Sequence, residues 1–74
     1  MKQRFVGKQE IADKLGLSAA YLFRAIHTSK TYRELRRLLA AANYRRSQKM
    51  LTPAQSDILV RWFSIDIDDE TINN

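Results

Sequence analysis

The chain of 74 residues has no cysteine, a single histidine, one proline and two glycines. Without cysteine there is no disulfide framework, no thiolate metal site and no cysteine nucleophile. His27 alone cannot hold zinc unless carboxylates gather round it, and none are grouped near it in the sequence. Long apolar runs are also missing. Runs such as Leu38 to Ala42 and Ile58 to Val60 fall far short of the roughly 20 residues that span a bilayer. Met1 to Val6 has a charged start with no apolar region behind it, so no secretory signal is expected and the cytoplasm is the default. The length itself allows one domain, in which pockets of roughly 300–1,000 Å³ are hard to enclose. An enzyme, a cofactor or a small-molecule ligand is therefore not expected. The only grouped acids lie at the C-terminal end, where nothing desolvates them or tunes their pKa.

Acidic residues are scarce where basic ones are dense. All thirteen Lys and Arg lie between Lys2 and Arg61, against four acids (Glu10, Asp13, Glu34 and Asp57), a net +9. The last ten residues carry Asp66, Asp68, Asp69 and Glu70, a net −4. A body this basic attracts polyanions, and duplex nucleic acid is the first to consider.

Punctuation and periodicity predict four helices. The first runs from Lys8 to Leu15, with Gly7 as N-cap, Glu10 at N3, an apolar face of Ile11, Ala12 and Leu15, and Gly16 as its stop. Ser18 caps a second, Ala19 to Thr28, with Leu22, Ala25 and Ile26 inward. Thr31 and Glu34 have capping-box spacing and open a third, Tyr32 to Ala42. It buries Leu35, Leu38, Leu39 and Ala42, turns Arg33, Arg36 and Arg37 outward, and stops at Asn43. Tyr44 to Leu51 reads as an irregular connector. Thr52-Pro53-Ala54-Gln55 is the clearest start signal: a cap, proline at N1 and a glutamine to complete the box. The fourth helix then runs to Phe63, with Ile58, Leu59, Trp62 and Phe63 inward. That stripe is wide enough for part of it to serve a homodimer contact. Arg4 to Val6 and Gln48 to Leu51 form a candidate pair of extended segments. The expected fold class is all-α, four short helices with a minor two-stranded element. Residues 1–63 form the domain and residues 64–74 an acidic flexible tail.

Glu10 to Ile26 carries the functional expectation. Helix, tight turn, helix, with Ala12, Gly16 and Ser18 in the spacing Ala-x-x-x-Gly-x-Ser, is a helix-turn-helix pattern. Ala12 lets the helix axes approach, and Gly16 supplies a positive φ. Ile11, Leu15, Leu17, Leu22 and Ile26 are the expected shared core, and Ser18 starts a helix whose N-terminal amides can meet a phosphate. A structural αα-hairpin shares most of these features.

The stretch resembles the first helix-turn-helix of AraC-type bacterial regulators at Ile11, Ala12, Leu15, Gly16, Ser18, Tyr21, Leu22 and Arg24. Those regulators carry a second such motif and this chain does not. The later half, with Tyr44, a basic run and Leu51-Thr52-Pro53-Ala54-Gln55, is similar to small bacterial proteins that follow a helix-turn-helix-like start with a Leu-Thr-Pro-x-Gln helix. The resemblance implies a DNA-binding helix-turn-helix domain whose second helix enters the major groove.

The residues on the outward side of that helix are Ser18, Ala19, Ala20, Phe23, Arg24 and His27, the candidate base readers. Arg24 has the side chain for bidentate contact with guanine. Ala19 and Ala20 can meet a thymine methyl; Phe23 can do so or cover the third helix. His27 is expected at the helix surface, where its protonated form suits the dipole. Lys8, Tyr21, Arg45, Arg46 and Lys49, with Lys2 and Arg4 near the first of them, are candidate phosphate contacts. The expected function is sequence-specific binding of double-stranded DNA by a small transcriptional regulator of bacterial or phage type. The alternative is a protein-interaction module, an adaptor or antirepressor, on the same scaffold.

Overall fold

A computed structural model describes residues 4–67. Strand β1 (Val6–Gly7) leads into helix α1 (Lys8–Lys14), and helix α2 (Ala19–Thr28) follows. A 3₁₀ turn (Lys30–Tyr32), helix α3 (Arg33–Ala41), strand β2 (Met50–Leu51) and helix α4 (Pro53–Phe63) complete the order. The two strands pair antiparallel, Val6 opposite Leu51 and Gly7 opposite Met50. The fold is all-α with a minor two-stranded element.

None of these helices is long enough to be stable alone, so packing must hold them. Each contributes one or two fully buried aliphatic side chains. Ile11 comes from α1, Leu22 and Ile26 from α2, Leu35 and Leu39 from α3, and Leu59 from α4; Leu51 of β2 closes the set. Each such side chain is worth about 1.5–3 kcal/mol of burial. Ala12 is fully buried too, where α1 meets α2.

Three helices stop in the same way. Gly16 (φ +72), Asn43 (φ 65) and Ser64 (φ 55) adopt the left-handed conformation just past α1, α3 and α4. In each case the next amide reaches back to a carbonyl of the last turn: Leu17 N–H to Ala12, Tyr44 N–H to Leu39 and Ile65 N–H to Val60, at 3.0–3.1 Å. This pattern satisfies carbonyls that would otherwise be orphaned. Gly16 and Asn43 are residues that tolerate that conformation, and both stops were expected.

Helix starts divide differently. Ser18 Oγ accepts the Tyr21 amide at 3.1 Å, as its position predicts. Thr52 and Gln55 form the expected capping box, with Pro53 at N1. The expected box between Thr31 and Glu34 does not form. Ser29 accepts the Thr31 amide instead, which starts a 3₁₀ turn and delays α3 to Arg33. The helix ends at Ala41 rather than Ala42.

Several side chains depart from their expected faces. Leu17 and Leu38, read as core, are exposed by 36% and 42%. Leu17 lies in the turn after Gly16 rather than on a helix, so periodicity does not govern it. Trp62 is 36% exposed, because Leu59 with half-buried Ile58 and Phe63 already fills the inner side of α4. Gln55 and Ser56, in the first turn of α4, are buried as well. In the tail, Ile65 and Ile67 pack against the core. Lys2 and the acids Asp68, Asp69 and Glu70 lie outside the described residues.

Candidate nucleic-acid interface

The start of α2 is built by two side chains. Ser18 takes the Tyr21 amide, and Gln9 of α1 reaches across to accept the Ala19 amide at 3.1 Å. The Gln9 amide group donates in turn to Asp13 at 2.8 Å and to the Leu17 carbonyl at 3.4 Å. Gln9 thus ties the two helices across the turn, a role its surface position in the sequence did not signal. Two of the three first-turn amides are consumed this way. The expectation of several free amides for a phosphate is corrected: only the Ala20 amide is left among the described residues.

Along one side of α2, Ala20, Tyr21 and Arg24 are exposed, Tyr21 by 63%. The Arg24 guanidinium has no partner among the described residues. Ser18 lies at the exposed edge, whereas Ala19 is half-buried against the core.

The adjoining side is closed. Phe23, expected outward, is only 4% exposed. The Lys8 ammonium stands 5.1 Å from its ring centroid and 5.2 Å from that of Tyr44. It also donates to the Arg46 carbonyl at 3.1 Å, and burial pulls its pKa below the ordinary lysine value. Lys8 is therefore turned onto the protein rather than held out for a phosphate.

His27, expected at the surface, is half-buried and shares a 2.8 Å hydrogen bond with the Tyr44 hydroxyl. The two rings stack at 5.7 Å with an interplanar angle of 29°. Burial first, then the charges of Arg46, Lys8 and Arg36, push the His27 pKa below its ordinary value. These effects disfavour the imidazolium that would suit the helix end. Burial likewise pushes the Tyr44 phenol up to about 12, so its hydroxyl stays protonated.

Arg36, expected outward, is half-buried instead. Its Nη1 donates to the carbonyls of Ile26 and Ser29 at 2.8 and 2.7 Å. A cation on the last carbonyls of a helix is favoured by the helix dipole, so Arg36 closes the C-terminal end of α2.

The connector between α3 and β2 is fastened by two amides. Gln48 accepts the Arg45 amide at 2.9 Å and donates to the Met50 carbonyl at 2.9 Å. Gln55, 1% exposed, exchanges hydrogen bonds with Gln48, accepts from the Thr52 amide and donates to the Ala42 carbonyl. Both ends of the buried amide are satisfied, as burial requires. This fastening brings Tyr44 and Arg46 against α2 and leaves the Arg45, Arg46 and Lys49 side chains exposed.

The acids of the body are committed elsewhere. Glu10 pairs with Arg4, Glu34 with Arg37 at 3.6 Å and Asp57 with Arg61 at 3.1 Å, and Asp13 accepts from Gln9. None neutralises Arg24 or the connector's cations. The structure thus keeps Ser18, Ala20, Tyr21 and Arg24 on one exposed edge, with Arg45, Arg46 and Lys49 on the connector seated against the C-terminal end of the same helix. It withdraws Phe23, His27, Lys8 and much of Ala19.

Between α2, α3 and the connector lies an open pocket of about 240 Å³, with Ile26 and Leu39 at its floor. Among the described residues, no group of histidine and carboxylate side chains could hold a metal, and no helix is long and apolar enough to cross a membrane. No family model, curated protein or solved structure matches the chain.

Proposed function

We propose that the chain binds double-stranded DNA, reading sequence with α2 and gripping flanking phosphates with the connector. It would act as a small transcriptional regulator of bacterial or phage type. One observation carries the reading. The bare edge of α2 holds an arginine with no partner among the described residues, and the connector seated against the same helix carries three more exposed cations, while every body acid is engaged elsewhere. The left-handed Gly16 turn between α1 and α2, and the resemblance to AraC-type motifs, support the same assignment. Arg24 has the reach for a guanine edge, Ala20 lets the backbone approach, and Tyr21 offers a hydroxyl to a phosphate.

Selection from random duplex DNA at two salt concentrations tests this. Neutralising four or five phosphates gives a slope of log K against log salt of roughly −4. A slope near zero, with no enriched sequence, would remove DNA as the partner. A palindromic selected site would add a two-fold dimer, for which Trp62 is the large apolar residue that α4 leaves exposed.

A second reading, a protein-interaction module, is favoured by Leu17 and Tyr21. Both expose apolar surface at the N-terminal end of α2. Binding through them to an acidic protein would survive Arg24→Ala and fail in Tyr21→Ala.

A further inference from the structure

The pocket beside the C-terminal end of α2 is not needed for reading DNA, although its rim shares Arg46 with the connector's phosphate-binding cations. Its floor is apolar: Ile26 and Leu39 are buried, and the Tyr44 ring forms a wall beside His27. Its polar side is cationic. Arg36 is held in place by the carbonyls of Ile26 and Ser29, both through Nη1. A guanidinium has five N–H donors, so others remain for a ligand on a side chain that is already immobilised. Arg46 faces the same space, and its guanidinium has no partner among the described residues. Among the described residues no carboxylate lines the pocket, so the field there is set by its arginines.

We propose that this pocket binds a small organic acid with a single flat ring, its carboxylate on Arg36 and Arg46 and its ring on Ile26, Leu39 and Tyr44. Size sets the class. The volume of about 240 Å³ falls below the roughly 300–1,000 Å³ of pockets that take drug-sized ligands, so a nucleotide does not fit and a one-ring acid does. Chemistry sets the charge. A planar carboxylate matches a guanidinium fork in a bidentate pair, and charge-assisted bonds of this kind are about twice as strong as neutral ones. The apolar floor separates such an acid from a bare inorganic anion, which would leave Ile26 and Leu39 uncovered. The stacked Tyr44 and His27 rings favour an aromatic body. Because the pocket is open on one side and its arginine is fixed beforehand, little ordering is required on binding.

The test is a titration of the full chain, without DNA, followed by backbone amide resonances. Its outcome is therefore independent of the DNA reading, and failure of either leaves the other standing. Three probes are compared: benzoate, benzamide and inorganic phosphate. Benzoate is expected to shift the amides of Ile26, His27, Ala40 and Tyr44 and to leave those of Ser18 to Tyr21 unmoved. Benzamide has the ring without the charge, and phosphate the charge without the ring. Each should bind roughly tenfold more weakly or worse. Arg46→Gln should raise the benzoate Kd by about tenfold, the loss of one charged hydrogen-bonding partner. Ala40 is an exposed lining residue, so Ala40→Phe should fill the space and abolish binding while the unfolding temperature is kept. The proposal is overturned if benzoate moves none of these amides. It is equally overturned if benzamide or phosphate binds as well as benzoate, or if benzoate binding survives both substitutions.

Discussion

Phe23 and Arg24 are neighbours in α2, and both read as outward in the sequence. Phe23 is 4% exposed under the Lys8 ammonium, whereas Arg24 stands in the open with no partner among the described residues. The same contrast separates His27, bonded to Tyr44 and seated beside Arg46, from Tyr21, which is 63% exposed. Helix geometry does not distinguish the two sides. The connector does, because it lies along one side and stops short of the other. One side of α2 is part of the protein's fabric, and the other is available for a partner.

The largest expected effect comes from loosening what holds the connector. Gln55→Ala leaves the Ala42 carbonyl, the Thr52 amide and the Gln48 amide without their buried partner. A cost of about 3 kcal/mol or more is expected in urea unfolding, a large share of the stability of so small a domain. If stability is unchanged, the covering of Phe23 and His27 has another cause.

The turn that presents the bare side comes next. A Cβ at Gly16 would meet no atom within 4 Å, so any cost there is backbone alone. Gly16→Val forces a β-branched residue to positive φ and should cost about 1–3 kcal/mol, with Gly16→Asn much milder. Equal costs for the two would mean that space, not conformation, requires the glycine.

These two sites also show what sequence can and cannot tell. Gly16, Ser18, Asn43 and the Thr52–Gln55 box were legible because their signals are local: a residue type and its chemistry within four positions. The α2 boundaries followed from them. Thr31 with Glu34 has the same local form and failed, because Ser29 offered its hydroxyl two residues earlier. Periodicity, which knows only one helix at a time, places Phe23, His27 and Arg36 outward. Lys8 stands over Phe23, Tyr44 bonds His27, and the Ile26 and Ser29 carbonyls hold Arg36, and these partners on other elements meet them only in the fold. Arg24 and Ala20 have their expected exposure because no described residue distant in sequence covers them. Gln48, which fastens the connector, carries no local signal at all.

A smaller effect tests the covered side by its titration. The folded His27 pKa lies below the ordinary value of 6.5, so the unfolded chain takes up its proton first as pH falls. Its contribution to stability is complete above 6.5 and is lost as pH falls through the lower folded value. In urea unfolding from pH 7 to pH 5, His27→Gln should flatten the decline shown by the unsubstituted chain. An unchanged profile would show that His27 is as solvated as the sequence alone suggests. Tyr44→Phe removes one hydrogen bond to the same ring and should cost about 1 kcal/mol.

Base reading by α2 rests most directly on Arg24, and one comparison tests it. Arg24→Ala and Arg45→Ala are measured against the duplex recovered by selection and against a scrambled duplex. Arg24→Ala should lose about 1–3 kcal/mol on the selected duplex alone, relaxing one base position, with the fold intact because the side chain is exposed. Arg45→Ala should weaken both duplexes alike. If Arg24→Ala weakens neither duplex, the bare side of α2 does not enter the groove, and α2 is not a DNA-reading helix.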